Sequence, residues 1–284
     1  MHPVHRLVIA LLGLWVCLTP LLVGAAPSLE IMMKTADALI TESELMESRN
    51  LRKAVQERAA ELYAQVARED AGPNGAAALL KAGNLYTDLG GDTFLARALE
   101  CATLATFRPD SPRLAPDALM LKVRIYRLQK EWGRAVRSGL ACAETYPKSE
   151  AAPRALFEAA QVFETAIRNP SEAERCYSQV VSTYPASPVA DDSLMARAGL
   201  RAKARQYQQA IADYLAVADS YPAGDLADQA LYEAIDLYEG ELKDYVKAYE
   251  LSVRFRKQFP HSALLKKVEK IESKTLKYAK DTPG

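Results

Sequence analysis

Proline recurs in this chain at Pro109, Pro147, Pro185, Pro222 and Pro260, a step of 37 or 38 residues. A leucine column (Leu119, Leu156, Leu194, Leu231) and an alanine column (Ala135, Ala173, Ala210, Ala248) keep the same step. Three columns in register mean that one supersecondary unit is repeated, and any fold must satisfy all copies at once. The prolines sit in near-identical junctions: Tyr146-Pro147-Lys148-Ser149, Tyr184-Pro185-Ala186-Ser187, Tyr221-Pro222-Ala223-Gly224 and Phe259-Pro260-His261-Ser262. Phe107-Arg108-Pro109-Asp110-Ser111 is a fifth junction with one insertion.

Each unit reads as two helices. Leu194, Ala198 and Leu200 share one face of a first segment, and Tyr207, Ala210, Ile211, Tyr214 and Val217 recur at helical spacing in the second. The proline ends the second helix, because it lacks the amide proton and pushes its predecessor out of helical geometry. Ser or Gly two residues later suits a cap for the next helix. The fixed alanine lets the two helices of a hairpin approach closely.

An aromatic near the end of the first helix (Tyr86, Tyr126, Phe163, Tyr238), an alanine early in the second and a closing proline resemble the tetratricopeptide repeat. Leu231, Tyr238, Tyr245, Ala248 and Pro260 match that pattern position by position. Departures are the longer step, Val123 and Ile235 at small-residue positions, and Arg201 where an aromatic is expected. The long step with its Tyr-Pro-x-Ser junction is similar to repeats of Gram-negative envelope proteins. The outer-membrane assembly repeat lipoprotein and the Tol-Pal-associated periplasmic coordinator are examples. The resemblance implies an all-α solenoid of antiparallel helix pairs in a right-handed superhelix, which acts as a protein-binding scaffold. It also implies groove contacts from the first helices at Asn84, Arg124, Arg127, Arg154, Gln161 and Asp236. Phe157, Met195 and Tyr232, just after the leucine column, extend that list. The expected occupant is an extended peptide or a helix of a protein partner in the concave groove, with Arg124, Arg127 and Arg154 as a clamp for an acidic segment. Ordinary solvated helix surface is the competing reading of these arginines, and packing between the hairpin helices that of Phe157, Met195 and Tyr232.

The ends differ from the array. His2, His5 and Arg6 precede an apolar run from Leu7 to Leu18, then Pro20 and a small-residue stretch to Ala26. This reads as a signal peptide over 1–25, cut after Ala25, with an uncleaved inner-membrane anchor as the alternative. The expected location is therefore the periplasm. Cys17 follows Trp15 and Val16 rather than small residues, so no lipid acceptor is expected there. Residues 26–73 read as a degenerate helical pair, 74–261 as five repeats, and 262–284 as a lysine-rich capping helix and tail. A polar terminal helix closes the last face of a stacked array; an anionic partner or nearby membrane surface is the alternative reading of its lysines.

Chemistry-bearing groups are few. The 36 Lys and Arg balance 36 Asp and Glu, which gives no global attraction for nucleic acid. His261 is the one histidine after the leader and lies in a junction, away from any nucleophile or metal spacing. Gly90-Gly91-Asp92 lacks the lysine of a phosphate loop. Asp191-Asp192 and Glu239/Glu241 fall at helix ends, where dipole and solvent account for them. No cofactor, metal or catalytic residue is expected, and the chain reads as a non-enzyme. Cys101, Cys142 and Cys176 lie in Ala- and Leu-rich helices and are expected as buried thiols. Asn169 precedes Pro170, so no glycosylation site arises there. Two alternative functions stand beside the soluble envelope scaffold: a membrane-anchored subunit of an assembly or translocation complex, and a peptidoglycan-associated accessory protein.

Overall fold

The computed structural model describes residues 27–108 and 113–280. The expected leader with Cys17, the Pro109 junction and the last four residues lie outside them. Every regular element among the described residues is helical. By internal contacts the chain divides into a unit ending at Ala152 and a unit beginning at Pro153.

The first unit contains α1 (Leu29–Glu44), α2 (Arg49–Glu69), α3 (Pro73–Leu89), α4 (Asp92–Phe107), α5 (Ala115–Leu128) and α6 (Trp132–Thr145). Each helix packs on the next, and α3 also touches α5. Serine oxygens cap α1 and α2, where Ser28 accepts from the Ile31 amide and Ser48 from that of Leu51. The seams are lined by alanine: Ala36, Ala59, Ala78, Ala82, Ala98 and Ala118 are fully buried. Small side chains bring backbones together, and Gly83 marks the tightest approach of α3, α4 and α5. A Cβ there would lie 2.7 Å from Leu121 Cδ2 and 3.3 Å from Cys101 Cβ.

The second unit contains most of α7 (Ala151–Val162), then α8 (Pro170–Thr183), α9 (Ala190–Lys203), α10 (Tyr207–Ser220), α11 (Ala227–Leu237), α12 (Tyr245–Gln258) and α13 (Leu265–Lys280). Its core gathers Leu194, Ala210, Ile211, Tyr214, Ala230 and Tyr238. A second cluster joins Leu231, Ile235 and Phe255 to Val268 of α13. The last helix thus buries an apolar stripe on its neighbours while Lys266, Lys267, Lys270, Lys274 and Lys277 stay outside or pair. Lys274 bonds Glu239, and Lys267 sits 5.6 Å from the Tyr232 ring centre.

Two first helices end in a π turn, Phe163–Ile167 after α7 and Tyr238–Leu242 after α11. A π turn accommodates one inserted residue without breaking the helix. The sequence carries that residue: Leu156 to Ala173 and Leu231 to Ala248 span 17 positions, whereas Leu119 to Ala135 and Leu194 to Ala210 span 16. After every one of these helices comes a left-handed residue, Lys130, Arg168, Arg205 or Lys243, with φ of 56–60°. The α3–α4 turn uses Gly90 there instead.

The four Tyr/Phe-Pro junctions share one turn, in which the amide of Ser149, Ser187, Gly224 or Ser262 donates to the aromatic residue's carbonyl. The expected capping by these serines is not what forms. Ser149 donates back to Tyr146 O, and a further turn intervenes before α7 begins. Ser262 donates to Asp228 and accepts from the Leu264 amide.

Candidate functional site

The nine residues expected to contact a partner all sit on first helices, and their surroundings differ. In α3, the Asn84 amide donates to Leu80 O of its own helix. In α5, Arg124 is half-exposed and pairs with Asp88 of α3 at 2.5 Å; Arg127, one turn on, is partly exposed. In α7, Arg154 is 70% exposed and pairs with Glu158 at 3.3 Å. Arg124 and Arg154 therefore already hold carboxylates of this chain, and an incoming acid would exchange with them.

Gln161 is half-buried, and its carbonyl accepts from Thr165. Phe157 tilts against Tyr177 of α8 with ring centres 5.7 Å apart. Met195 packs beside the α9–α10 core. Both are half-buried, so they serve hairpin packing and leave one edge at the surface. Tyr232 and Asp236 of α11 lie one turn apart in an acidic patch with Glu233. Burial raises the Asp236 pKa, helped by Glu239 and Glu241 and opposed by Lys267; burial and Asp236 likewise raise that of Glu233.

A buried charge network escaped the sequence reading. Arg197 and Arg201 of α9 both donate to Asp213 of α10, at 2.7–2.9 Å. Arg201 also donates to Glu174 of α8, and Arg197 to Ser178. Asp213 is only 5% exposed. The signal was present: Arg201 occupies an aromatic position, and an acid 12 residues on reaches it across the hairpin.

Cys101, Cys142 and Cys176 are buried and unoxidised. Burial pushes each thiol up to about 11, so none is a reactive thiolate near neutral pH. No group of His, Cys, Asp and Glu suited to a metal ion occurs among the described residues. Nor is any described helix long and apolar enough to cross a membrane.

Stacked antiparallel hairpins, a small residue at each seam and a closing aromatic-proline turn together define the architecture. The fold is tetratricopeptide-like. No protein-family model matches the sequence, and no curated protein matches it. Among solved structures the chain is similar to PilF of Pseudomonas aeruginosa, at 16% identity and TM-score 0.48, over 82% of this chain and 96% of that one. It is also similar to a signal transduction ATPase with a tetratricopeptide repeat sensor from Pyrococcus horikoshii, at 14% identity and TM-score 0.46. That match covers 88% of this chain but 42% of the other. BtubC from P. vanneervenii is similar at 15% identity and TM-score 0.40, over 91% and 95% of the two chains.

Proposed function

We propose that this protein is a non-catalytic scaffold of the bacterial cell envelope, exported by its N-terminal segment, that holds a protein partner against its first helices. The observation that carries the reading is the repeated hairpin itself. Each copy spends its apolar face on its neighbours and leaves a row of polar and charged first-helix positions outside. Such rows recognise extended segments or helices, because successive turns present side chains at regular intervals. In the first unit Arg124 and Arg127 on α5 supply cations for an acidic segment, with Asp88 as the carboxylate it displaces; in the second unit Arg154 on α7 offers a cation of its own, with Glu158 as the carboxylate displaced there. Asp236 on α11, with Glu233 beside it and the Tyr232 ring one turn back, supplies a contrasting acidic stretch.

The test is crosslinking and co-purification of the tagged protein from its native envelope, beside an Arg124→Glu/Arg127→Glu/Arg154→Glu variant. A defined protein partner lost in the variant supports the scaffold and its site. A partner kept by the variant removes these arginines from the contact. Recovery of glycan and no protein would overturn the reading in favour of a cell-wall accessory. Fractionation of the same cells tests export, and recovery in the cytoplasm would refute the envelope assignment.

A further inference from the structure

A concentration of cationic side chains around a cavity lies away from the first-helix row. In the first unit, α2 and α4 flank a cleft of about 620 Å3 whose floor is formed partly by Leu79 and Tyr86 of α3. That volume is in the range of ordinary ligand pockets. Its walls carry four arginines, Arg58, Arg68, Arg97 and Arg108, against two acids, Glu61 and Glu100.

The four arginines are not equivalent. Arg58 is held by Glu61 of its own helix at 3.2 Å. Arg108 is spent on structure, since its guanidinium donates to Ala67 O and Asp70 O at the end of α2. Gly75 makes room for that clasp: a Cβ there would fall 1.8 Å from Asp70 O and 2.8 Å from Arg108 Nη1. Arg68 and Arg97 differ. Arg68 donates through Nε to Ala64 O, which leaves its two Nη groups for another acceptor. Arg97 lies 5.7 Å from the Tyr86 ring centre and 6.0 Å from that of Phe94, an arrangement that fixes the guanidinium in place. Among the described residues neither forms an ion pair with a carboxylate. Beside them Leu104, which also lines the cleft, is 49% exposed, an apolar lip on a cationic cleft.

We propose that this cleft is a second docking site, on the second-helix side of the first unit, for an acidic segment of a protein partner with an apolar side chain next to its carboxylates. Arg68 and Arg97 take the carboxylates, Leu104 the apolar group. The charge imbalance selects an anion, and the apolar lip selects a peptide over a small inorganic anion. The proposal rests on the scaffold reading for its biological sense, but its test is independent of it.

The experiment measures fluorescence polarisation of a fluorescein-labelled hexapeptide of alternating Glu and Leu with the purified full chain. The companion probe has Gln in place of Glu. The expected result is binding of the Glu peptide that weakens in high salt, with little binding of the Gln peptide. Arg68→Gln and Arg97→Gln each weaken it roughly fivefold, as for loss of one partly exposed ion pair. Leu104→Asp also weakens it, and as a substitution at an exposed position it keeps the fold. Lys34→Gln, at an exposed position outside both sites, leaves binding unchanged, and because the probe reads the purified chain alone, a failed envelope co-purification and a failed cleft are told apart. Equal binding of both peptides, binding indifferent to Arg68, Arg97 and Leu104, or no binding would overturn the proposal. So would displacement of the Glu peptide by inorganic phosphate at equal charge, which would make the cleft a site for small anions.

Discussion

Hairpins α9–α10 and α11–α12 stand one repeat apart and fill the same slot by opposite means. In α11–α12 the slot holds Tyr238, 7% exposed, with the Lys247 ammonium 5.4 Å from its ring centre. In α9–α10 it holds Arg201, whose charge is answered by Asp213 and Glu174. An aromatic ring gains from burial wherever it fits. A guanidinium gains only when every donor is matched, because an unpaired buried charge carries its full desolvation cost. The repeat thus tolerates a polar slot only as a complete set. Arg197 and Asp213 had to accompany Arg201.

Removing one member of that set gives the largest expected effect. Asp213→Ala leaves Arg197 without a carboxylate and Arg201 with Glu174 alone, and should cost about 3–5 kcal/mol in urea unfolding. Replacing Arg197, Arg201 and Asp213 together by Met, Leu and Leu should recover most of that loss, since packed apolar groups can substitute for a buried ionic set. A triple variant as unstable as Asp213→Ala would show that the network does more than balance itself. On the aromatic side, Tyr238→Ala should cost about 3 kcal/mol through the cavity it leaves. Tyr238→Phe should cost under about 0.5 kcal/mol if the ring rather than the hydroxyl fills the slot.

Alkaline titration tests the apolar seams rather than the ionic slot. The three thiols have folded pKa values raised by burial from 9.0 to about 11. A group whose folded pKa lies above its unfolded value contributes stability that is full below the unfolded pKa and lost as pH rises. Stability should therefore decline from pH 9 through about 11, by about 3 kcal/mol per thiol, and the melting temperature with it. Exchanging all three cysteines for alanine should flatten the decline between pH 9 and 10; above that the buried tyrosines Tyr63, Tyr177 and Tyr214, whose pKa values burial also raises, keep it going.

Two gains are expected at the turns. Gly224 replaces the serine of the other junctions, and a Cβ there would lie 3.4 Å from Asp191 Oδ2. Gly224→Ser should place a hydroxyl on that carboxylate, as Ser262 does on Asp228, and stabilise by about 0.5–1 kcal/mol. Arg205 holds φ of 60°, a conformation glycine adopts without steric cost. Arg205→Gly should stabilise by up to about 0.5 kcal/mol after the loss of unfolded-state restriction. Differential scanning calorimetry reads both.

The all-helical hairpin array was legible from three columns of residues, because proline, leucine and alanine each answer a local steric demand that recurs. Burial of the cysteines followed from the same seams. The π turns were also written in the sequence, in the alternation of 16 and 17 residues between the leucine and alanine columns, but the proline step of 37 or 38 masks it. The ionic slot was visible only as an anomaly at Arg201, since its partners come from α8 and α10 and no single-helix pattern links them. The α2–α4 cleft left no mark in the pattern at all. Arg58, Arg68, Arg97 and Arg108 belong to the less regular first hairpins, and only the approach of two second helices brings them together.

Within each unit most helices pack chiefly on their neighbours in sequence, and this also sets how a unit comes apart. In such a stack a break anywhere exposes just two interfaces, so opening is a local event with its own equilibrium rather than a property of the whole chain. Amide exchange should accordingly fall in steps from hairpin to hairpin, fastest where a terminal helix has one neighbour. A ligand spanning two adjacent hairpins then acts as a splint. It slows exchange in the pair it bridges and leaves more distant hairpins to breathe as before, so the footprint of an unknown partner can be read directly from where the breathing stops.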